Sequence, residues 1–328
     1  MVIQQTCRMS PTSWTDTAGM PLRTRLLCYA RGRSGSVADM TLEQIAVNRA
    51  LSPAPRFPAS LVIGSLTKGV QIDGFTVRGR SGHEIPVRRY RTGRRTDRVL
   101  LYLHGGGWVL GRPQDYDSML SMLAGRCDAT VLAPDYRKAP EHKAPNGLHD
   151  CLDVFDWLAA APSECGTTSP RIVVGGDSAG GNLSALVAQH ARDHRKDLVG
   201  QVLIYPATDL SIEHTMRNAP GLTGDDIDRY KDLYLSGSGI EAESAVLSPA
   251  RGDLRGLAPA LVQTAEMDPL RDEGIDYAHK LRHAGNEVRL TRYYQVPHGF
   301  LNMPGATSCG HQARMEIADQ LIDWWQHR

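Results

Sequence analysis

Apolar residues fall along this chain in short runs, not long blocks. Runs rich in β-branched and aromatic residues at 70–77, 85–91, 99–103, 130–133, 172–174, 202–205, 260–265 and 288–294 read as strands. Helix-length stretches with apolar positions three or four apart lie among the later runs, at 116–124, 148–160, 178–191, 274–284 and 312–325. Short apolar strands alternating with helices predict a parallel sheet covered on both faces. The first strands look hairpin-connected and so antiparallel. The expected architecture is α/β, with a mixed, mostly parallel sheet of about eight strands flanked by helices.

The pattern weakens at two places. Residues 1–40 are rich in Ser, Thr, Gly and Arg without clear periodicity, and read as a loosely ordered tail. A helix is predicted next, over 40–51. Thr41 can cap it, and Leu42, Ile45, Ala46 and Ala50 fall near one face. A link containing Pro53, Pro55 and Pro58 follows. The alternation breaks again between 205 and 260. Residues 207–245 carry a helical patch (Ile227, Tyr230, Leu233, Tyr234) between Gly/Ser linkers and read as an insertion. The organisation is a tail over 1–40 and one domain over 41–328.

Composition narrows the function classes. The 328 residues carry a net charge of +1, which gives no global field for nucleic acid or an anionic membrane. The arginines at 88, 89, 91, 94, 95 and 98 sit among turn residues and read as a solvated hairpin. Six cysteines without C-x-x-C spacing suggest reduced thiols and a cytoplasmic setting. No apolar run approaches the roughly 20 residues of a membrane span. LLCYA at 26–30 is too short for a signal peptide's apolar region. His190 and His194 lie four apart but lack an intervening Glu and a third ligand, so no metal site is expected.

The candidate chemistry starts at Gly176-Asp177-Ser178-Ala179-Gly180, which fits G-x-S-x-G. It follows a predicted strand and opens a predicted helix, the setting of a nucleophile elbow. Small residues at 176 and 180 let the turn close and leave the Ser178 hydroxyl exposed. The Ala179 amide points at the helix's positive end, suited to an oxyanion. His104-Gly105-Gly106-Gly107-Trp108 ends the strand at 99–103, and its glycines can bring more N–H groups to the same point. Which two of Gly105, Gly106 and Gly107 donate is left open. Asp268 lies just beyond the strand at 260–265, placed to orient a histidine. Glu266, Asp272 and Glu273 are rivals. His298 follows the last strand. The order Ser178, Asp268, His298 is that of an α/β-type hydrolytic triad.

With these pieces in place, the chain resembles the α/β-hydrolase superfamily, and within it the hormone-sensitive-lipase-like carboxylesterases, also called bacterial lipolytic family IV. The resemblance rests on HGGGW at 104–108, DYRKAPEH at 135–142, GDSAGGN at 176–182, YP at 205–206, DPLRDEG at 268–274 and HGF at 298–300. It implies a cofactor-free serine hydrolase for short- to medium-chain esters. Ser178 would be the nucleophile, His298 the base and acid, and Asp268 the orienting carboxylate. Ala179 and two of the three glycines would form the oxyanion hole. A cap would come from 41–60 and 207–245, with Trp108, Tyr230 and Tyr234 as candidates for the substrate pocket or, equally, for core packing. The loop at 138–146, KAPEHKAPN, departs from the family's usual LAPEHPFPA, which leaves the pocket's shape open. Two other readings stand beside this one: an amidase-type hydrolase, and a non-catalytic receptor on the same scaffold. The presence of His298 argues against the second. The expected partner is a small ester. The helix at 312–325 can serve a homodimer or pack on its own sheet, the second being favoured.

Overall fold

A computed structural model describes residues 17, 19–32, 36–51, 56–94, 96–161, 167 and 169–328. Its strands are β1 (Gln71–Arg78), β2 (Glu84–Arg91), β3 (Arg98–Leu103), β4 (Thr130–Pro134), β5 (Arg171–Asp177), β6 (Gly200–Ile204), β7 (Ala260–Met267) and β8 (Val288–Pro297). They form one sheet in the order β1-β2-β4-β3-β5-β6-β7-β8. β1 pairs antiparallel with β2, and β2 antiparallel with β4. Every later pair is parallel.

The expected antiparallel start holds for β1 and β2 but not for β3, which lies inside the sheet, parallel to both β4 and β5. Burial explains the difference. β2 alternates between buried and exposed residues, whereas β3 is buried from Val99 to Leu103 and needs cover on both faces.

That cover comes from helices on two sides. Val99, Leu101 and Leu103 point into a core shared with α5 (Asn146–Ala159) and α6 (Ala179–Asp193). The alternate residues Leu100 and Tyr102 join a second core with α4 (Asp117–Cys127) and α9 (Gly310–His327). Ile317, Leu321, Trp324 and Trp325 of α9 are buried there, so this helix packs on its own sheet. α8 (Arg271–His283) covers Leu203 and Val262.

The N-terminal stretch contains order that the pattern does not show. Leu22–Gly32 forms a helix, α1. Its buried positions include Thr24 and Cys28, a polar and a small residue, so they leave no hydrophobic stripe to read. Thr24 Oγ1 donates to the Ala306 carbonyl at 2.6 Å and ties α1 to the loop after β8. Residues 1–16 and the prolines at 53 and 55 lie outside the described residues. α2 (Leu42–Ala50) is capped by Thr41 in a reciprocal box with Gln44, and a single turn, α3 (Ser60–Ile63), precedes β1. Only Ile45 of the predicted face of α2 is buried, and Leu42, Ala46 and Ala50 are exposed. Arg49 instead reaches the Val109 carbonyl at 2.5 Å and Glu141 at 2.7 Å.

Three of the six arginines of that run, Arg88, Arg89 and Arg91, belong to β2 and are paired within the fold. Arg88 grips Asp117 with two bonds of 2.8 Å, and Arg89 and Arg91 share Asp73. Among the described residues no helix is long and apolar enough to cross a membrane, and no group of three or more His, Cys, Asp or Glu could hold a metal ion.

A bulge ends the sheet. Ala265 pairs with Tyr293, yet Met267 pairs with Pro297, so β8 carries two extra residues between them. Gln295 takes φ +57° there, and its N–H donates to Glu266 Oε2 at 2.7 Å.

Candidate active site

Ser178 stands between the end of β5 and the start of α6, with φ 56° and ψ −121°. An L-residue rarely adopts this conformation, and such strain collects at functional turns. The Ser178 N–H donates to the Ile204 carbonyl at 2.9 Å, which fixes the turn against β6. The glycines are there for space. A Cβ on Gly176 or Gly180 would collide with the Leu103 carbonyl oxygen, so any side chain would push the elbow off β3.

The structure brings the three distant side chains together. His298 Nε2 lies 3.0 Å from Ser178 Oγ, and His298 Nδ1 lies 2.7 Å from Asp268 Oδ2. Asp268 is buried, and its Oδ1 accepts the Leu270 N–H at 2.9 Å. The rivals stand elsewhere: Glu266 holds the β8 bulge, and Asp272 pairs with Arg271. With Nδ1–H donated to a carboxylate, the imidazole presents a bare Nε2 to the hydroxyl.

The glycine loop is shaped by a buried carboxylate that sequence reading passed over. Asp177 Oδ1 accepts from the Gly105 N–H at 3.0 Å and from Tyr102 at 2.9 Å. Its Oδ2 accepts from Tyr116 at 3.1 Å and from Tyr205 at 3.5 Å. Burial pushes the Asp177 carboxyl up from its ordinary value, against the pull of these donors and of His298. Gly105 N–H also meets Tyr116 OH at 3.0 Å, so this amide is committed to the loop's own support. Gly106 and Gly107, at φ +116° and +62°, line the cavity with Ala179. His104 is buried against Tyr136, with ring centroids 4.2 Å apart. Burial lowers its pKa to about 3, so the neutral ring donates from Nδ1 to the Gly105 carbonyl at 2.8 Å.

A cavity of about 220 Å³ opens over Ser178 and His298. Trp108 and Tyr230 line it, with Leu210, Leu222, Ile227 and Leu270. Tyr234 does not. It is buried behind Trp108, stacked at 4.8 Å and nearly parallel, and so belongs to the packing that holds the wall. Ile227, Tyr230 and Lys231 come from α7 (Gly224–Leu235), within the insertion. The unusual loop at 138–146 supports the wall from behind: Ala139 N–H donates to the Trp108 carbonyl and Ala144 N–H to the Tyr234 carbonyl. Polar residues line the cavity too: His214, Glu273, Asp209 and Lys231. His214 carried no sequence signal, and Glu273 stood only as a rival to Asp268.

Comparison with known proteins agrees with this fold. A model of the alpha/beta hydrolase fold family matches residues 100–302. Carboxylic ester hydrolase LipN of Mycobacterium tuberculosis is 42% identical over 246 residues, covering 71% of this chain and 65% of LipN. Carboxylesterase NlhH of the same organism is 40% identical over 264 residues, covering 77% and 80%. Among solved structures, an esterase of Pyrobaculum calidifontis is 39% identical with a TM-score of 0.73, covering 77% of this chain and 85% of that one. A thermostable esterase of Pseudomonas putida, 27% identical, superposes over 93% of this chain and 97% of its own with a TM-score of 0.80. Elbow, glycine loop, sheet and relatives point one way: the chain belongs to the α/β-hydrolase family, in its hormone-sensitive-lipase-like branch of carboxylic ester hydrolases.

Proposed function

We propose that this chain hydrolyses short- to medium-chain carboxylic esters through an acyl-enzyme on Ser178. The observation that carries this is the unbroken relay from Ser178 Oγ to His298 Nε2 (3.0 Å) and from His298 Nδ1 to Asp268 (2.7 Å). Ser178 Oγ gives its proton to Nε2 as it attacks the ester carbonyl carbon. The carbonyl oxygen, now negative, is met by the N–H groups of Gly106, Gly107 and Ala179. Asp268 stays ionised and steadies the imidazolium. His298 then protonates the departing alcohol oxygen, and a water attacks the acyl-enzyme by the reverse route.

Gly105 acts one step back, its amide held by Asp177. Trp108 and Tyr230 shape the bound ester. The segments at 41–60 and 207–245 form a cap over the cavity. Leu210, Leu222, Ile227 and Tyr230, which line the cavity, support the second of these. Buried free thiols at Cys28, Cys127 and Cys151 are consistent with a cytoplasmic setting. The curated relatives are named for ester hydrolysis, which favours esters over amides as substrates.

The test is a burst of p-nitrophenol from p-nitrophenyl butyrate, followed by steady turnover. Ser178→Ala abolishes the burst and lowers kcat by a factor on the order of 10⁴ or more. Equal turnover by the variant removes Ser178 from its role. Failure of the intact chain to react with a fluorophosphonate would point instead to a receptor.

A further inference from the structure

Two polar residues of the cavity meet without closing to hydrogen-bond distance. His214 Nε2 and Glu273 Oε1 are both buried and without a hydrogen-bond partner. They face each other at 3.6 Å, with side chains only 6% and 2% exposed. That gap is too long for a direct hydrogen bond. Both residues line the cavity that contains Ser178 and His298. Glu273 is held in direction by its other oxygen, which accepts the N–H groups of Thr208 at 3.3 Å and Asp209 at 3.2 Å. Their polar neighbours are already engaged. Asp209 is bound by Ser211 and Arg251, and Lys231 Nζ donates to the Ile212 carbonyl.

We propose that His214 and Glu273 form a hydroxyl-recognition subsite, and that the substrates are esters bearing a free aliphatic hydroxyl in the acyl or the alcohol part. This rests on the esterase reading. A swing of the imidazole toward the cavity admits an oxygen about 2.8 Å from each atom. The oxygen accepts from His214 Nε2–H and donates to Glu273 Oε1. A hydroxyl meets both demands with one atom. An ether or keto oxygen serves only His214, and an ammonium only Glu273. A substrate without the hydroxyl leaves the pair unmatched, and selectivity follows from that loss.

Two matched pairs of esters test the proposal, with acid release titrated at constant pH. Ethyl 3-hydroxybutanoate against ethyl butanoate probes the acyl side. The 2,3-dihydroxypropyl ester of butanoate against its propyl ester probes the alcohol side. The intact chain is expected to favour the hydroxylated member of one pair by about tenfold or more in kcat/KM. His214→Leu and Glu273→Gln bring that ratio toward one, chiefly through KM, while His214→Gln restores part of it. Glutamine at 273 keeps a carbonyl for the two backbone amides, so it serves if the histidine variant folds poorly. The ratio is taken within each variant, so a general loss of activity divides out. A ratio near one for both pairs in the intact chain, or a ratio that survives both substitutions, overturns the subsite. Absence of turnover on all four esters and on p-nitrophenyl butyrate would remove the esterase reading itself.

Discussion

Asp177→Ala tests whether the carboxylate beneath the glycine loop supports both the fold and the reaction. Removing it takes the acceptor from the buried Tyr102 and Tyr116 hydroxyls, which donate at 2.9 and 3.1 Å, while the Tyr205 contact at 3.5 Å is too long to weigh much. The Gly105 N–H keeps one acceptor, the Tyr116 oxygen at 3.0 Å. Two stranded buried donors at about 1–3 kcal/mol each give about 2–6 kcal/mol. Relief of a desolvated charge offsets part of this, leaving about 2–4 kcal/mol, a large share of a typical stability of about 5–15 kcal/mol. Catalysis should suffer separately. One oxyanion donor contributes about 2.7–4 kcal/mol, so a loosened loop that forfeits half of that slows turnover about tenfold to thirtyfold. Urea unfolding gives the first quantity, and initial rates on p-nitrophenyl butyrate at saturation give the second. Asp177→Asn keeps one acceptor oxygen and should recover at least half of the lost stability. The reasoning is refuted if the alanine variant stays within about 1 kcal/mol of the parent and within about twofold in kcat, since such buried donors should cost more.

Two further outcomes follow from local geometry. Gly107→Ala puts a Cβ into the Tyr230 ring at a backbone φ of +62°, so kcat should fall on the order of a hundredfold, and Tyr230→Ala in the same chain should recover part of it; no recovery would show that the ring is not the obstacle. Hydrogen bonds from Arg89 chiefly, with Arg91, hold the Asp73 carboxyl below its ordinary 3.8. Its stabilisation is therefore present above 3.8 and disappears as pH falls through the lowered folded value. The carboxylate is more than a third exposed, so Asp73→Asn should cost under about 1 kcal/mol near neutrality. Unfolding curves of parent and variant should converge as the buffer is taken well below 3.8.

What could be read in advance was whatever a local run or a short motif carries. The strands around Leu101, Val173 and Val262 are apolar on both faces, and central strands have to be. The elbow announced Ser178 because its glycines answer a collision with β3 that no other residue avoids. Asp268 and His298 were legible because strand ends in this topology converge on one edge. What stayed hidden depends on contacts distant in the chain. Nothing near Val99 says that β3 enters the sheet between β4 and β5. α1 buries Thr24 and Cys28, so hydrophobic periodicity is blind to it. Asp177 carries no local signal beyond its place in the motif, because its three tyrosines lie at 102, 116 and 205. His214 and Glu273 likewise lie far apart in sequence and meet only in the fold. Tyr234 lies one helical turn beyond Tyr230 on the same face, and that step along the axis carries it past the cavity and behind Trp108.

The two residues absorbed within β8 bear on how the histidine is kept ready between turnovers. They displace the chain's exit before residue 298, while Pro297 remains paired with Met267, next to Asp268. The distance from carboxylate to imidazole is thus governed by sheet pairing and by the clasp of Glu266 on Gln295, not by a free connection. On the proposed mechanism, departure of product need not disperse the pair, and each cycle begins with proton acceptor and orienting group already aligned. Surface segments farther along can vary in length without retuning that alignment, which leaves the walls of the cavity free to diversify around a fixed reaction centre.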